Sequence, residues 1–334
     1  MTNRGDITQI HGGNTETERD DGMLVGLHDA EMEHFGKGTN KFPNYALMKI
    51  SAYHKARGDE VEWWEPIRNP LYDVVYSSKV FDFTPENPYL PDCTIRGGTG
   101  YGLYDELPQE IDDMFPDYSI YPECDYAIGF LTRGCIRNCR WCVVPKKEGK
   151  IRPYRTWRDV VRRDTDKLTL MDNNILACDY GIRQLRELSE TDYRIDLNQG
   201  MDARLVDEDI ADILARINWI KHIRFSCDKT SQIAHVQRVV RWLTERGVKE
   251  SYIFVYMLIT SDISDDLKRI YSLRECGNIM IYGQAEKNPT QGIMPEHWQN
   301  VMAQKYLYQG SWRKVDWADY IKERPFLNVK IQEG

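Results

Sequence analysis

The pattern of apolar and polar positions divides the chain into two stretches. In each, short apolar runs alternate with longer segments of helical spacing. From Asp125 onward the alternation is regular. Ala127-Ile128-Gly129-Phe130-Leu131 reads as a buried strand, and Thr156 caps a helix near Trp157 to Arg163. Lys167 to Met171 predicts a second strand ending in Asp172-Asn173-Asn174, followed by a helix to about Leu188. Tyr193 to Leu197 predicts a third, ending in Asn198-Gln199-Gly200. Leu205, Ile210, Ile213, Leu214 and Ile217 share one side of the next helix. Ile220 to Phe225, Tyr252 to Ile259 and Ile279 to Tyr282 complete the strands. Helices near His235 to Glu245 and Ser264 to Cys276 separate them. Six strand–helix units in series predict an α/β fold, a partial (β/α)6 TIM-type barrel over 125–290. In such a fold the residues at the C-terminal strand ends share one mouth.

The first half has fewer repeats. Met23 to Leu27 is a strand, and Phe42-Pro43-Asn44 opens a helix carrying Ala46, Leu47, Ile50, Tyr53 and Ala56, with Gly58 at its end. Val61 to Trp64, Asp73 to Tyr76 and Thr94 to Arg96 follow as strands, the last running into Gly97-Gly98-Thr99-Gly100. This spacing predicts an N-terminal Rossmann-like parallel sheet domain over 22–108. The glycine run lacks the G-x-G-x-x-G fingerprint and reads as a turn at a strand end. Residues 109–124, rich in Pro, Asp and Tyr, read as a linker. Residues 1–21 are polar and read as a disordered tail without a secretory h-region. Residues 291–334 read as a helical extension whose aromatics, Tyr306, Tyr308, Trp312, Trp317 and Tyr320, pack it down.

Composition narrows the function. The chain has 334 residues, 41% hydrophobic, and no apolar stretch long enough to span a membrane. A formal charge of −8 argues against a nonspecific nucleic-acid coat. One stretch departs from it: Lys146, Lys147, Lys150, Arg152, Arg155, Arg158, Arg162 and Arg163 would suit a phosphate-bearing partner or form a solvated face. The solvated face is the preferred reading. His28, His34 and His54 are isolated and read as surface or satisfied core residues. Eight cysteines in a chain of cytoplasmic character are expected as thiols or ligands, not disulfides.

Three of the eight, Cys135, Cys139 and Cys142, sit within eight residues directly after the first strand of the repeat. Three thiolates can hold three irons of a [4Fe-4S] cluster and leave the fourth iron open. Gly134 permits a sharp turn before the first of them. Structural zinc is the alternative, but it prefers four ligands and no fourth lies nearby.

Cys135-x-x-x-Cys139-x-x-Cys142, with Trp141 before the last cysteine, resembles the signature of the radical S-adenosylmethionine superfamily. The resemblance covers 125 to about 290. It implies a cluster that binds S-adenosylmethionine through its open iron and cleaves it to a 5′-deoxyadenosyl radical, which abstracts hydrogen from a substrate. It further implies an electron donor such as flavodoxin or ferredoxin. Asp172, Asn173 and Asn174 stand where the family has a Gly-Gly-Glu-like run against the methionine amine. Asn198, Gln199 and Arg204 follow the third strand, and Asp228 and Tyr256 end the fourth and fifth; all are expected cofactor contacts, with a helix cap or turn as the alternative for each. The first half resembles the Rossmann-like domain of cobalamin-binding radical enzymes. It shows no Asp-x-His-x-x-Gly motif, so cobalamin is not expected. Cys142-Val143-Val144-Pro145, Gly149 and Arg152 are similar to the loop of methylthiotransferases that modify tRNA or protein. Those enzymes hold a second cluster on three N-terminal cysteines, and here only Cys93 and Cys124 precede the motif. Methylthiotransferase-like or methyltransferase-like modification, with nucleic acid as a partner, is therefore a second reading. A non-catalytic cluster-binding module is a third. The substrate is not legible.

Overall fold

The computed structural model describes residues 22–36, 42–287 and 292–329. The tail expected at 1–21 lies outside the described residues. The chain divides into two compact units, Met1–Tyr121 and Pro122–Gly334.

The first unit is a four-stranded parallel sheet of order β2-β1-β3-β4, built from β1 (Leu24–Asp29), β2 (Glu60–Trp63), β3 (Val74–Ser78) and β4 (Thr94–Gly97). Val25, Leu27, Leu47 and Ile50 form its core with Ile111. After α1 (Ala30–Phe35) comes α2 (Tyr45–Ala56), started by Asn44, whose Oδ1 accepts from Leu47 N at 3.2 Å. The glycine run is a turn: Gly98 has φ +103°, and a Cβ there would strike the Lys79 carbonyl.

The segment expected as a linker carries structure. Ile111, on α3 (Gln109–Asp112), enters the first unit's core, and Asp117 accepts from Ser51 Oγ at 2.6 Å and Lys55 Nζ at 2.7 Å. Its prolines and aspartates shape tight turns that pack against α2, not an extended tether.

The second unit places six parallel strands in chain order. β5 (Ala127–Gly129), β8 (Lys167–Leu170) and β9 (Arg194–Leu197) pair in one sheet, and β11 (Ile223–Ser226), β12 (Ile253–Ile259) and β13 (Met280–Ala285) in another. A parallel bridge from Met201 to Phe225 links the two. Three two-residue strands are additions: β6 (Thr132–Arg133) pairs antiparallel with β7 (Arg152–Pro153), and β10 (Asn218–Trp219) extends beyond β9. The long crossover helices are α6 (Asp179–Leu188), α7 (Glu208–Arg216), α8 (Ile233–Glu245) and α9 (Ile263–Arg274), preceded by the short α4 (Val144–Lys147) and α5 (Trp157–Val160).

On β12, Ile253, Val255, Met257 and Ile259 are buried in the core with α8 and α9 residues such as Val239, Leu243, Ile270 and Leu273. Each such side chain contributes about 1.5–3 kcal/mol by leaving water. Phe254, Tyr256 and Leu258 take the other face by the two-residue period and are only partly buried. The helix expected to reach Arg163 stops at Val160. Val161 turns extended, and Arg162 bonds the Cys124 carbonyl at 2.7 Å instead of continuing the turn.

The C-terminal segment packs on the same core through α10 (His297–Val301), a π-helical stretch Met302–Leu307 and α11 (Trp317–Lys322). Tyr306, Trp312, Trp317 and Tyr320 are buried, whereas Tyr308 is 70% exposed.

Candidate functional site

The cysteine loop is closed at its base before any thiol is reached. β6 and β7 pin the two ends of the segment 134–151. Gly134 has φ +84°, and a Cβ there would collide with the Lys150 and Gly149 carbonyls, so only glycine fits this turn. The Glu148 carboxylate accepts from Gly134 N at 2.9 Å and Asn173 Nδ2 at 2.6 Å and pairs with Arg133 at 2.8 Å. Asp172 accepts from Leu131 N, Thr132 N and Thr132 Oγ1, the last at 2.6 Å. Burial pushes its pKa up to about 6 against the pull of those donors. Asp172 therefore fixes the backbone that leads into the loop. Its carboxylate is occupied there.

Two further arginines tie the loop across the strand ends. Arg137 Nε reaches Asp202, beyond β9, at 2.9 Å, and Arg204 grips the same carboxylate with Nε at 2.7 Å and Nη2 at 2.9 Å. Burial raises the Asp202 pKa, but hydrogen bonds from Arg204 and Arg137 outweigh it and hold the carboxyl below its ordinary value. Arg140 pairs with Glu286, a buried carboxylate just past β13, at 3.0 Å. The indole of Trp141 has the Arg140 and Lys229 charges each 5.9 Å from its centroid, Lys229 coming from the turn after β11.

The thiols feel one another. Burial raises the pKa of Cys139, as do the charges of Asp228 and Cys135. Burial likewise raises that of Cys142, with Cys139 and Cys135 adding to it. The Cys135 sulfur accepts from Arg137 N at 3.3 Å and from Asn174 Nδ2 at 3.6 Å. Asn174 Oδ1 is buried and has no partner among the described residues.

The other expected contacts divide. Arg204 lies within electrostatic reach of Cys139 and Asp228. Asp228 accepts from Leu258 N at 2.9 Å, which ties the segment after β11 to β12, and burial raises its pKa. Asn198 donates to the Met171 sulfur at 3.7 Å, and its carbonyl accepts from Tyr256 OH at 3.4 Å. Gln199 is exposed. Tyr256 belongs to an aromatic ladder: its ring is 5.1 Å from Phe254 and 5.9 Å from Tyr282, which is 6.1 Å from Tyr308. Sequence reasoning passed over Glu148, Asp202 and Glu286. The signal was an arginine at 133, 137 and 140 on one loop of an acidic chain, which calls for carboxylate partners. Of the basic stretch that follows, Arg158 pairs with Glu187 and Arg162 with Asp164.

Among the described residues no three His, Cys, Asp or Glu side chains are gathered tightly enough to hold a single metal ion. A cubane cluster makes a different demand, because each thiolate binds its own iron. The donor chemistry suits it: three mutually coupled thiols, two N–H groups on one sulfur, arginines and a lysine around an anionic centre, and a buried acceptor left open beside it.

No family model matches the chain. The chain is similar to the tRNA-2-methylthio-N(6)-dimethylallyladenosine synthase of Aquifex aeolicus (strain VF5), with 26% identity over 210 residues. It has an enzyme for a distant relative. The match takes in 57% of this chain and 45% of that protein, so the chain spans less than half of the relative's length. Among the described residues no helix is long and apolar enough to cross a membrane.

Proposed function

We propose that this chain is a radical S-adenosylmethionine enzyme. The observation that carries the reading is the cysteine loop, held over the C-terminal ends of β8, β9 and β13 by Asn173, Asp202 and Glu286. When bound, the cluster and S-adenosylmethionine supply the carbon radical that abstracts hydrogen from a substrate. Cys135, Cys139 and Cys142 would each hold one iron. Asn174 Oδ1, Asn198 and Arg204 would meet the cofactor, with Trp141 beside the Arg140 and Lys229 charges. Asn173 acts through Glu148, and Asp172 through residues 131–132, as positioning groups. The rings of Phe254, Tyr256 and Tyr282 share the partly buried face of β12 and β13, where His222 stacks on Phe254 and the Arg224–Asp196 pair lies within electrostatic reach of Tyr256, so a cofactor or substrate there would meet both aromatic and charged groups.

A second reading, methylthiotransferase-like modification of a tRNA, is favoured by the relative's name. The exposed Tyr308 and Tyr282 would then stack on a base. The cysteine supply weighs against it, because Cys93 and Cys124 are the only thiols before the motif.

Anaerobic reconstitution with iron and sulfide, then dithionite and S-adenosylmethionine, is expected to release 5′-deoxyadenosine. Cluster-loaded protein that releases none would rule the proposal out. Added tRNA followed by nucleoside mass spectrometry separates the second reading, which requires a mass gain on one nucleoside.

A further inference from the structure

Asn174 occupies an uncommon position for an amide at a strand end. It is 4% exposed, directly ahead of Ile175 and Leu176, which are locked in the core. Its Nδ2 lies 3.6 Å from the Cys135 sulfur, and its Oδ1 is the buried acceptor without a partner among the described residues. The amide's orientation follows from chemistry. Sulfur accepts, so the nitrogen must face it, and turning the group over would set two acceptors against each other. The Arg137 N–H reaches the same sulfur at 3.3 Å, so one of the three thiols is met by both a backbone and a side-chain donor.

We infer that Asn174 is a positioning residue that raises the reduction potential of a cluster held by Cys135, Cys139 and Cys142. The inference rests on the functional reading above. Reduction adds negative charge that spreads over the cluster's sulfurs. An N–H aimed at a ligating sulfur stabilises the reduced form more than the oxidised form. The low dielectric around a buried side chain enlarges that difference, and the rigid anchorage of residues 175–176 keeps the donor in place. Three arginine–carboxylate ties hold the loop whichever side chain stands at 174, so the effect is on potential and not on whether a cluster binds.

The test uses the full chain, reconstituted anaerobically as wild type, Asn174→Leu and Asn174→Asp, without S-adenosylmethionine. Iron and sulfide content and a redox titration followed by electron paramagnetic resonance are read on each. All three proteins are expected to carry equal iron and sulfide. The midpoint should move to more negative potential in Asn174→Leu, which keeps the bulk and loses the donor. It should move further in Asn174→Asp, which adds a negative charge. Equal midpoints in the three loaded proteins overturn the inference. So does loss of the cluster from both variants, which would make Asn174 part of the scaffold. A wild-type protein that takes up no four-iron cluster overturns instead the functional reading on which the inference rests.

Discussion

The two units are built from the same parts, parallel strands with helical crossovers, yet they treat polar groups at their strand ends differently. In the first unit the network closes. His28 Nδ1 meets Ser77 Oγ at 2.8 Å, His28 Nε2 meets Glu33 at 2.9 Å, and Ser77 Oγ meets Tyr101 OH at 2.7 Å. Glu31 is filled by Val80 N, Phe81 N and Thr84 Oγ1. In the second unit three thiols sit among arginines and carboxylates, and Asn174 Oδ1 stays open. Among the described residues every buried side-chain nitrogen or oxygen without a hydrogen-bond partner lies in the second unit. A closed network stabilises a fold; an open one beside reactive thiols leaves room for a ligand. His28 of the first unit thus belongs to its architecture, whereas Cys135, Cys139 and Cys142 of the second stand outside its core, unlike the buried Cys227 and Cys276.

The sharpest way to break this contrast is Cys139→Ala. The variant should lose the cluster completely, read as iron content and visible absorbance. Its unfolding midpoint as apoprotein should stay near wild type, within about 0.5 kcal/mol, because no core residue depends on this partly exposed side chain. Global unfolding of the variant would make the thiols structural and erase the difference between the units.

Glu148→Ala is expected to act next most strongly. It leaves Arg133, the Gly134 N–H and Asn173 facing an empty space, a loss of about 3–5 kcal/mol for one partner of a buried pair. Urea unfolding of the apoprotein would register it, and cluster uptake should fall with it. Ser77→Ala in the first unit removes two hydrogen bonds from the closed network, about 1–3 kcal/mol, and should leave iron content at the wild-type level. If Ser77→Ala lowered iron content as Glu148→Ala does, the closed network would not be purely architectural.

The parts of this contrast that were legible in the sequence are the local ones. Apolar runs of strand length and helical spacing between them show the six strands of the second unit because both signals are complete within a dozen residues. The thiols show themselves because three fall in one loop. The ties that position them are nonlocal: Arg137 and Asp202 are 65 residues apart, and Arg140 and Glu286 are 146 apart. Only the folded strand order brings such pairs together. Asp172 and Asn174 are two residues apart in one polar run, yet one turns back to the chain entering the loop and the other toward Cys135. Composition cannot separate them; the direction of each side chain at the strand end does. Residues 109–121 misled for the opposite reason, since turn-forming residues are common both to tethers and to compact packing around one buried Ile111.

The smallest expected effect tests the contrast through pH. Asp117, in the first unit, is held down to about 2: burial would raise it, but hydrogen bonds from Lys55, Ser51 and Ser119 outweigh that. Its folded pKa lies below the ordinary 3.8, so its contribution is present above that pH and is lost as pH falls through 2. Asp172, in the second unit, is pushed up to about 6. The folded state then binds the extra proton between pH 4 and 6, so its contribution is present below that window and is lost as pH rises through 6. Asp172→Asn should therefore gain on wild type as pH is raised from about 4 to about 6, and Asp117→Asn should gain on wild type as pH is lowered from about 4 to about 2. Urea unfolding of the apoproteins across both windows measures the two slopes. Slopes of the same sign would mean that the Asp172 carboxylate is held by its donors as firmly as Asp117 is by Lys55. The anchoring of the cysteine loop would then be a closed network like that of the first unit.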